Sequence, residues 1–189
     1  MICDPGLWLG QSGGPPLPRY VGLLRGVNVG GKNNVPMSEL RSLFESLGHC
    51  EVSTFIQSGN VVFTSAARVT PTSLETAVSD HFGIDISVVL RTPKELRTVV
   101  ERNPFSYVDP SKLHVGFMAE EPTAAAVAGL DAERFEREEF AVRGSDVYLH
   151  LPNGMGRTKL PAYLDRQLKI PTTIRNWSTV NKLLELAHR

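Results

Sequence analysis

A chain of 189 residues suffices for one large domain or two small intimate ones, and its 41% hydrophobic content supports a buried core. Charged residues make up 21% and cancel to a formal net charge of zero, which argues against a dedicated nucleic-acid or membrane-surface protein, whose usual footprint is a basic excess. Two cysteines, Cys3 and Cys50, argue against a disulfide framework and fit a reducing, cytoplasmic compartment, while a cysteine zinc site needs more ligands at closer spacing.

The N-terminus is rich in Gly and Pro, from Pro5 to Pro18. It has no basic start, and its apolar run Leu7-Trp8-Leu9 is too short for a signal peptide. No apolar stretch approaches the roughly 18 residues that span a bilayer. Residues 1–18 are therefore expected to form a flexible tail. Tyr20–Leu24 reads as a buried strand and leads into a polar loop, Gly26–Val35. Met37, Leu40, Leu43, Phe44 and Leu47 then mark one face of a helix opened by Pro36 and closed by Gly48. Val52–Gln57 and Asn60–Thr64 are predicted strands joined by a two-residue Ser58-Gly59 turn. Thr72 and Glu75 suggest a capping box for a helix carrying Leu74, Ala77, Val78 and Phe82, and Ile84–Leu90 is the next strand. This gives a first βαββαβ half over 19–91.

Thr92-Pro93-Lys94-Glu95 opens a connector helix and loop, 92–112, and the pattern then repeats over 113–189. Strands are expected at Leu113–Met118, Glu138–Val142, Val147–Leu151 and Pro171–Ile174. Helices are expected at Pro122–Leu130 and Pro161–Leu168, with a last one carrying Val180, Leu183, Leu184 and Ala187. The fold read from this pattern is α+β: two ferredoxin-like halves with antiparallel sheets, a duplication, plus a C-terminal helix.

Three stretches carry a family resemblance. They are Leu24-Arg25-Gly26-Val27-Asn28-Val29-Gly30-Gly31-Lys32-Asn33 running into Val35-Pro36-Met37; Thr54-Phe55-Ile56-Gln57-Ser58-Gly59-Asn60-Val61-Val62-Phe63; and the pair Gly154–Leu160 and Thr173–Val180. In these the chain resembles the domain of unknown function 1697 family. Thr158 stands where Ser is expected and keeps the hydroxyl. The resemblance implies a bacterial protein of two ferredoxin-like halves and implies no activity.

Two loop systems hold the candidate chemistry. In the first, Arg25, Asn28, Gly30, Gly31, Lys32 and Asn33 lie between a strand and a helix N-terminus. Glycines there let backbone N–H groups turn toward one concavity, and the helix dipole favours an anion. The same residues equally fit a tight loop of left-handed turns. Neither a Walker loop nor a dinucleotide fingerprint is present. Strand topology brings the hairpin Gln57, Ser58 and Asn60 to the same rim, either as hydrogen-bond partners of the loop or as lining of a shared pocket. In the second system, Arg157 and Lys159 precede one helix, and Arg175 and Asn176 precede another. From Met155 onward seven Lys and Arg face Asp165 and Glu185, whereas Glu120–Phe140 holds seven acids against Arg134 and Arg137. The contrast suggests an anion site near Arg157, Lys159 and Arg175, or two solvated faces of opposite sign.

His49, His81, His114, His150 and His188 are scattered without metal-ligand spacing, so no metal site is expected. No nucleophile elbow occurs, no cofactor is identified and no catalytic base stands out, which leaves enzymatic activity open. The leading expectation is a cytosolic protein binding a small phosphorylated or carboxylated ligand, without a membrane. A single-stranded nucleic-acid module and a protein–protein module are the alternatives. Oligomeric state is not legible.

Overall fold

The computed structural model describes residues 16–189, so the expected tail lies outside the described residues but for its last three positions. Two compact units divide the chain. One runs to Pro93 and takes in Leu186–Arg189; the other is Lys94–Glu185.

The first unit contains β1 (Arg19–Leu24), α1 (Met37–Ser46), β2 (Cys50–Phe55), β3 (Asn60–Thr64), α2 (Pro71–Phe82) and β4 (Val88–Arg91). Its sheet order is β2-β3-β1-β4 with every pairing antiparallel. This is the ferredoxin-like arrangement of a split βαβ unit. Met37, Leu40, Leu43 and Phe44 are buried because their spacing puts them on one helix stripe. Leu47, expected on that stripe, is exposed: it caps the C-terminal end of the helix, its N–H still bonded to the Leu43 carbonyl at 3.1 Å. The stripe packs on Leu24, Val61 and Phe63 of the sheet and on Leu74 and Val78 of α2. Phe63 is the hub, with ring centroids 5.1 Å from Phe44, 5.6 Å from Tyr20 and 4.7 Å from His49.

Three local expectations are corrected here. The α2 capping box is formed by Thr70 and Ser73, not Thr72 and Glu75, because Pro71 with its fixed φ takes the first helical position. Glu75 instead accepts a hydrogen bond from the Val88 backbone N–H at 2.8 Å and ties the helix to β4. The strand predicted over Ile84–Leu90 is only Val88–Arg91, since β1 ends at Leu24 opposite Val88 and leaves nothing to pair with earlier residues beyond one Arg25 N–H to Ser87 carbonyl bond of 2.8 Å. The β2–β3 turn spans four residues, Ile56–Gly59, because Phe55 and Asn60 are the last pair of the ladder.

The second unit contains most of α3 (Pro93–Glu101), then β5 (Leu113–Met118), α4 (Ala124–Ala128), β6 (Glu139–Arg143), β7 (Asp146–His150), α5 (Leu160–Leu168), β8 (Thr172–Asn176) and the body of α6 (Trp177–Ala187). Its sheet order, β6-β7-β5-β8, repeats that of the first unit. Here the hairpin has two residues, Gly144 and Ser145, between the paired Arg143 and Asp146. The core joins Met118, Val147, Leu149 and Leu151 to Leu160, Leu164 and Leu168 of α5. A buried Tyr148 hydroxyl donates to the Val99 carbonyl of α3 at 2.7 Å. The α4 helix is shorter than expected, since Thr123 caps it by accepting from the Ala126 N–H and Gly129 ends it. Among the described residues no helix is long and apolar enough to cross a membrane.

Two buried histidines give the fold a pH dependence. His49 sits against Phe44 and Phe63 with its Nδ1 3.2 Å from the Ser65 hydroxyl. His114 lies in β5, its buried Nδ1 without a hydrogen-bond partner among the described residues. Burial lowers the pKa of both. An unfolded histidine takes up its proton near pH ~6.5. Below that pH the unfolded chain therefore binds more protons than the folded one, so stability is full above it and falls as pH drops toward the lowered folded values. Melting temperature is expected to be level above pH ~7 and to fall as pH drops below about 6.5, with a shallower fall in His49→Phe, whose ring replaces the imidazole without titrating. Equal slopes for wild type and variant in thermal scans across this range would exclude His49 as a source.

Candidate functional site

The Gly/Asn loop of the first unit is a miniature hairpin. Val29 and Lys32 form an isolated bridge around Gly30 and Gly31, whose φ values of +58° and +73° make a turn that glycine adopts without strain. Asn28 is the organising side chain. Its Nδ2 donates to the Val35 carbonyl (2.9 Å) and the Gln57 carbonyl (3.0 Å), and its Oδ1 accepts from the Val35 N–H (2.8 Å). Asn33 Nδ2 donates to the Gly26 carbonyl at 3.1 Å. Across the rim, the buried Asn60 donates through Nδ2 to the Phe55 carbonyl (3.0 Å) and the Ser58 hydroxyl (2.8 Å). The Leu24 N–H donates to the Gly59 carbonyl at 2.8 Å. The loop and the hairpin are thus neighbours, and the amides of Asn28, Asn33 and Asn60 hold the backbone in place. Arg25, Lys32 and Gln57 are exposed. A cavity of about 460 Å³ is lined by Arg25, Gly26, Asn33, Asp85, Ile86 and Ser87, so its lining holds one carboxylate and one cation.

Ile56 is a strained member of this rim. It holds φ +48° and is 49% exposed, a conformation that a β-branched residue rarely adopts. The Phe55 carbonyl bonded to Asn60 and the Gln57 carbonyl bonded to Asn28 hold the peptide on either side of it.

In the second unit, Arg157 and Lys159 line a cavity of about 710 Å³. Sequence reasoning missed three more cations on its wall, Arg134, Arg137 and Arg166. Arg134 and Arg137 sit inside the acidic stretch, where seven carboxylates outnumber them and the local pattern does not single them out. A findable signal existed for Arg166, which follows Lys159 by seven residues and so shares its helix face. Glu136 and Glu138 are the carboxylates of the wall. The Thr158 hydroxyl donates a hydrogen bond to the Glu138 carboxylate at 2.6 Å, and the Thr158 Oγ1 accepts from the Leu160 N–H at 3.0 Å, capping the start of α5. The hydroxyl that the sequence retains at Thr158 is therefore used twice. Tyr163 forms the floor: its hydroxyl accepts from the Asp131 N–H at 2.7 Å, Phe135 stacks edge-on at 5.2 Å, and the Arg134 guanidinium lies 5.5 Å from its ring centroid. Among the described residues, the side chains of Arg137, Arg157, Lys159 and Arg166 are engaged in no hydrogen bond or ion pair.

Arg175 and Asn176 do not join this wall. Arg175 is buried in β8 and donates through Nη1 to the Thr173 hydroxyl (2.7 Å) and the Ile174 carbonyl (2.9 Å). Burial pushes its guanidinium pKa down to about 10, which leaves it charged at neutral pH. Asn176 accepts through Oδ1 from the Thr179 N–H at 2.8 Å and from the Ser178 hydroxyl at 3.1 Å, the geometry of a cap for α6.

No group of three or more His, Cys, Asp or Glu side chains suited to a metal ion occurs among the described residues. One carboxylate–imidazole pair, unforeseen from the sequence, does form: His150 Nδ1 lies 2.9 Å from Glu139, which also accepts from the Tyr107 hydroxyl at 3.2 Å. It arises because β6 and β7 place Glu139 opposite His150.

Fold and site together define the class: an α+β protein of two split βαβ units with a cation-lined cavity in the second. A family model described as "Protein of unknown function (DUF1697)" matches residues 17–148, and the chain belongs to that family. The matched span ends before Arg157, Lys159 and Arg166. Among solved structures the chain is similar to the conserved bacterial protein SP0830 from Streptococcus pneumoniae, with 28% identity over 91% of this chain and 99% of that one and a TM-score of 0.69. No curated protein matches the chain.

Proposed function

We propose that the protein binds a small anionic ligand, phosphorylated or carboxylated, in the cavity of its second unit. The observation that carries this reading is the convergence of Arg134, Arg137, Arg157, Lys159 and Arg166 on one concavity with two carboxylates. Cations gathered in a cleft focus the field and draw in a counter-charge, and guanidinium groups grip phosphate or carboxylate oxygens in pairs. The N-terminal end of α5 adds its dipole in the same sense. The Gly/Asn loop of the first unit, with Arg25 and Lys32, is the secondary candidate, and its amides serve the loop before any ligand. A single-stranded nucleic-acid site draws less support, since of the strand aromatics Phe55, Phe63, Phe117 and Tyr148 only Phe55 is not buried, and one ring is no stacking platform.

A ligand that binds only the native state raises its stability, by about 2.7 kcal/mol at a concentration a hundredfold above Kd. Thermal-shift measurements with sugar phosphates, nucleotides and carboxylates are expected to show a reproducible rise for one chemical class. Arg157→Ala and Lys159→Ala are each expected to remove most of it while leaving the unliganded melting temperature within about a degree, as both side chains are exposed. A rise that persists undiminished in both variants would place the ligand elsewhere.

A further inference from the structure

We propose that the ligand of the second-unit cavity carries linked phosphoryl groups, a diphosphate or triphosphate chain rather than a single phosphate or a carboxylate. This rests on the anion-binding reading above and specifies its ligand. Three observations carry it. The first is charge: five cationic side chains against two carboxylates leave an excess of three positive charges, and Glu138 is already engaged by the Thr158 hydroxyl. One phosphate neutralises only part of that excess.

The second observation is extent. Lys159 stands at the N-cap of α5 and Arg166 in its last turn, seven residues on and about 10 Å along the axis at 1.5 Å per residue, and both line the cavity. A single tetrahedral phosphate reaches donors only within about 3 Å of its oxygens, so it occupies one end of this row. Linked phosphoryl groups run along it and meet Lys159 and Arg157 at one end and Arg166 at the other. The third observation is the donor type. Four of the five cations are arginines, whose planar forks bind phosphate oxygens bidentately and hold an extended polyanion in register better than lysines do. A volume of about 710 Å³ is that of an organic ligand site and is far larger than one phosphate requires. The shared chemistry is the phosphoryl chain, found in inorganic polyphosphates and in nucleotides alike.

Isothermal titration of the full chain at fixed ionic strength tests this with inorganic phosphate, tripolyphosphate, citrate and ATP. Tripolyphosphate or ATP is expected to bind at least tenfold more tightly than phosphate and than citrate. Whichever of the two is tighter identifies the source as inorganic chain or nucleotide. Arg166→Gln, an exposed helix position, is expected to weaken the phosphoryl chain severalfold and leave phosphate binding unchanged, whereas Arg68→Gln in the first unit changes neither. Equal affinity for phosphate and tripolyphosphate, or citrate binding as tightly as tripolyphosphate, would overturn the inference and leave the anion-binding reading standing. Absence of binding by all four probes would overturn both.

Discussion

Gly59→Ala is expected to destabilise the protein by about 3 kcal/mol, summing about 1–2 kcal/mol for a left-handed non-glycine residue and about 1–3 kcal/mol for an overpacked core. Gly59 holds φ +68°, and a Cβ added there would stand 2.5 Å from Val27 Cγ2 and 2.8 Å from Leu24 Cβ. Both neighbours are buried, and Leu24 Cβ is fixed by the strand backbone, so only a shift of the turn relieves the clash. Such a shift would break the Leu24 N–H to Gly59 carbonyl bond that joins β1 to the hairpin. Gly30→Ala is the internal control: φ is +58° there too, yet nothing lies within 4 Å of the added carbon. It is expected to lose only the conformational part, about 1 kcal/mol. Urea denaturation of both variants separates the two contributions, and equal losses would show that the Gly59 contact relaxes without cost.

Asn28→Ala is expected to lose about 2–3 kcal/mol. Three side-chain hydrogen bonds disappear at once, each worth about 0.5–1.5 kcal/mol net, and alanine tolerates the φ of +55° less well than asparagine. Asn28→Asp is the informative partner variant. It keeps the acceptor for the Val35 N–H but replaces a donor by a negative oxygen facing two carbonyls, so most of the loss is expected to remain. A loss below about 0.5 kcal/mol in both variants would mean that water replaces these contacts. Anion affinity at the second-unit cavity is expected to be unchanged in Asn28→Ala, because no residue of that wall belongs to the first unit. The variant therefore distinguishes an amide that shapes a loop from one that holds a ligand.

Within the candidate sites, what was legible in the sequence followed residue chemistry. Asparagine and glycine in Gly26–Val35 announced left-handed backbone, and Asn28, Gly30, Gly31 and Asn33 all have positive φ. Which of two roles those residues serve was not legible, since a side-chain amide bonds a carbonyl or a ligand with the same atoms. Arg175 shows the converse. Its charge suggested a ligand contact, but β-pairing with Val115 carries it into the interior beside Thr173.

Periodicity and punctuation by themselves determined the number and order of strands and the α+β class, because buried stripes repeat every two or 3.6 residues wherever a chain folds on a core. They also located the end of α2 at Gly83, whereas its start lies at Pro71, capped by Thr70 and not by Thr72. Tertiary structure alone decided where strands stop. Val88 begins β4 because β1 runs out opposite it, and Phe55 ends β2 because Asn60 is its last partner. It alone decided, too, that Arg134 and Arg137 of an acidic segment meet Arg157, Lys159 and Arg166 around one cavity. Sequence neighbours set local conformation, whereas pairing limits and shared concavities depend on residues distant in the chain, and no local pattern encodes their meeting.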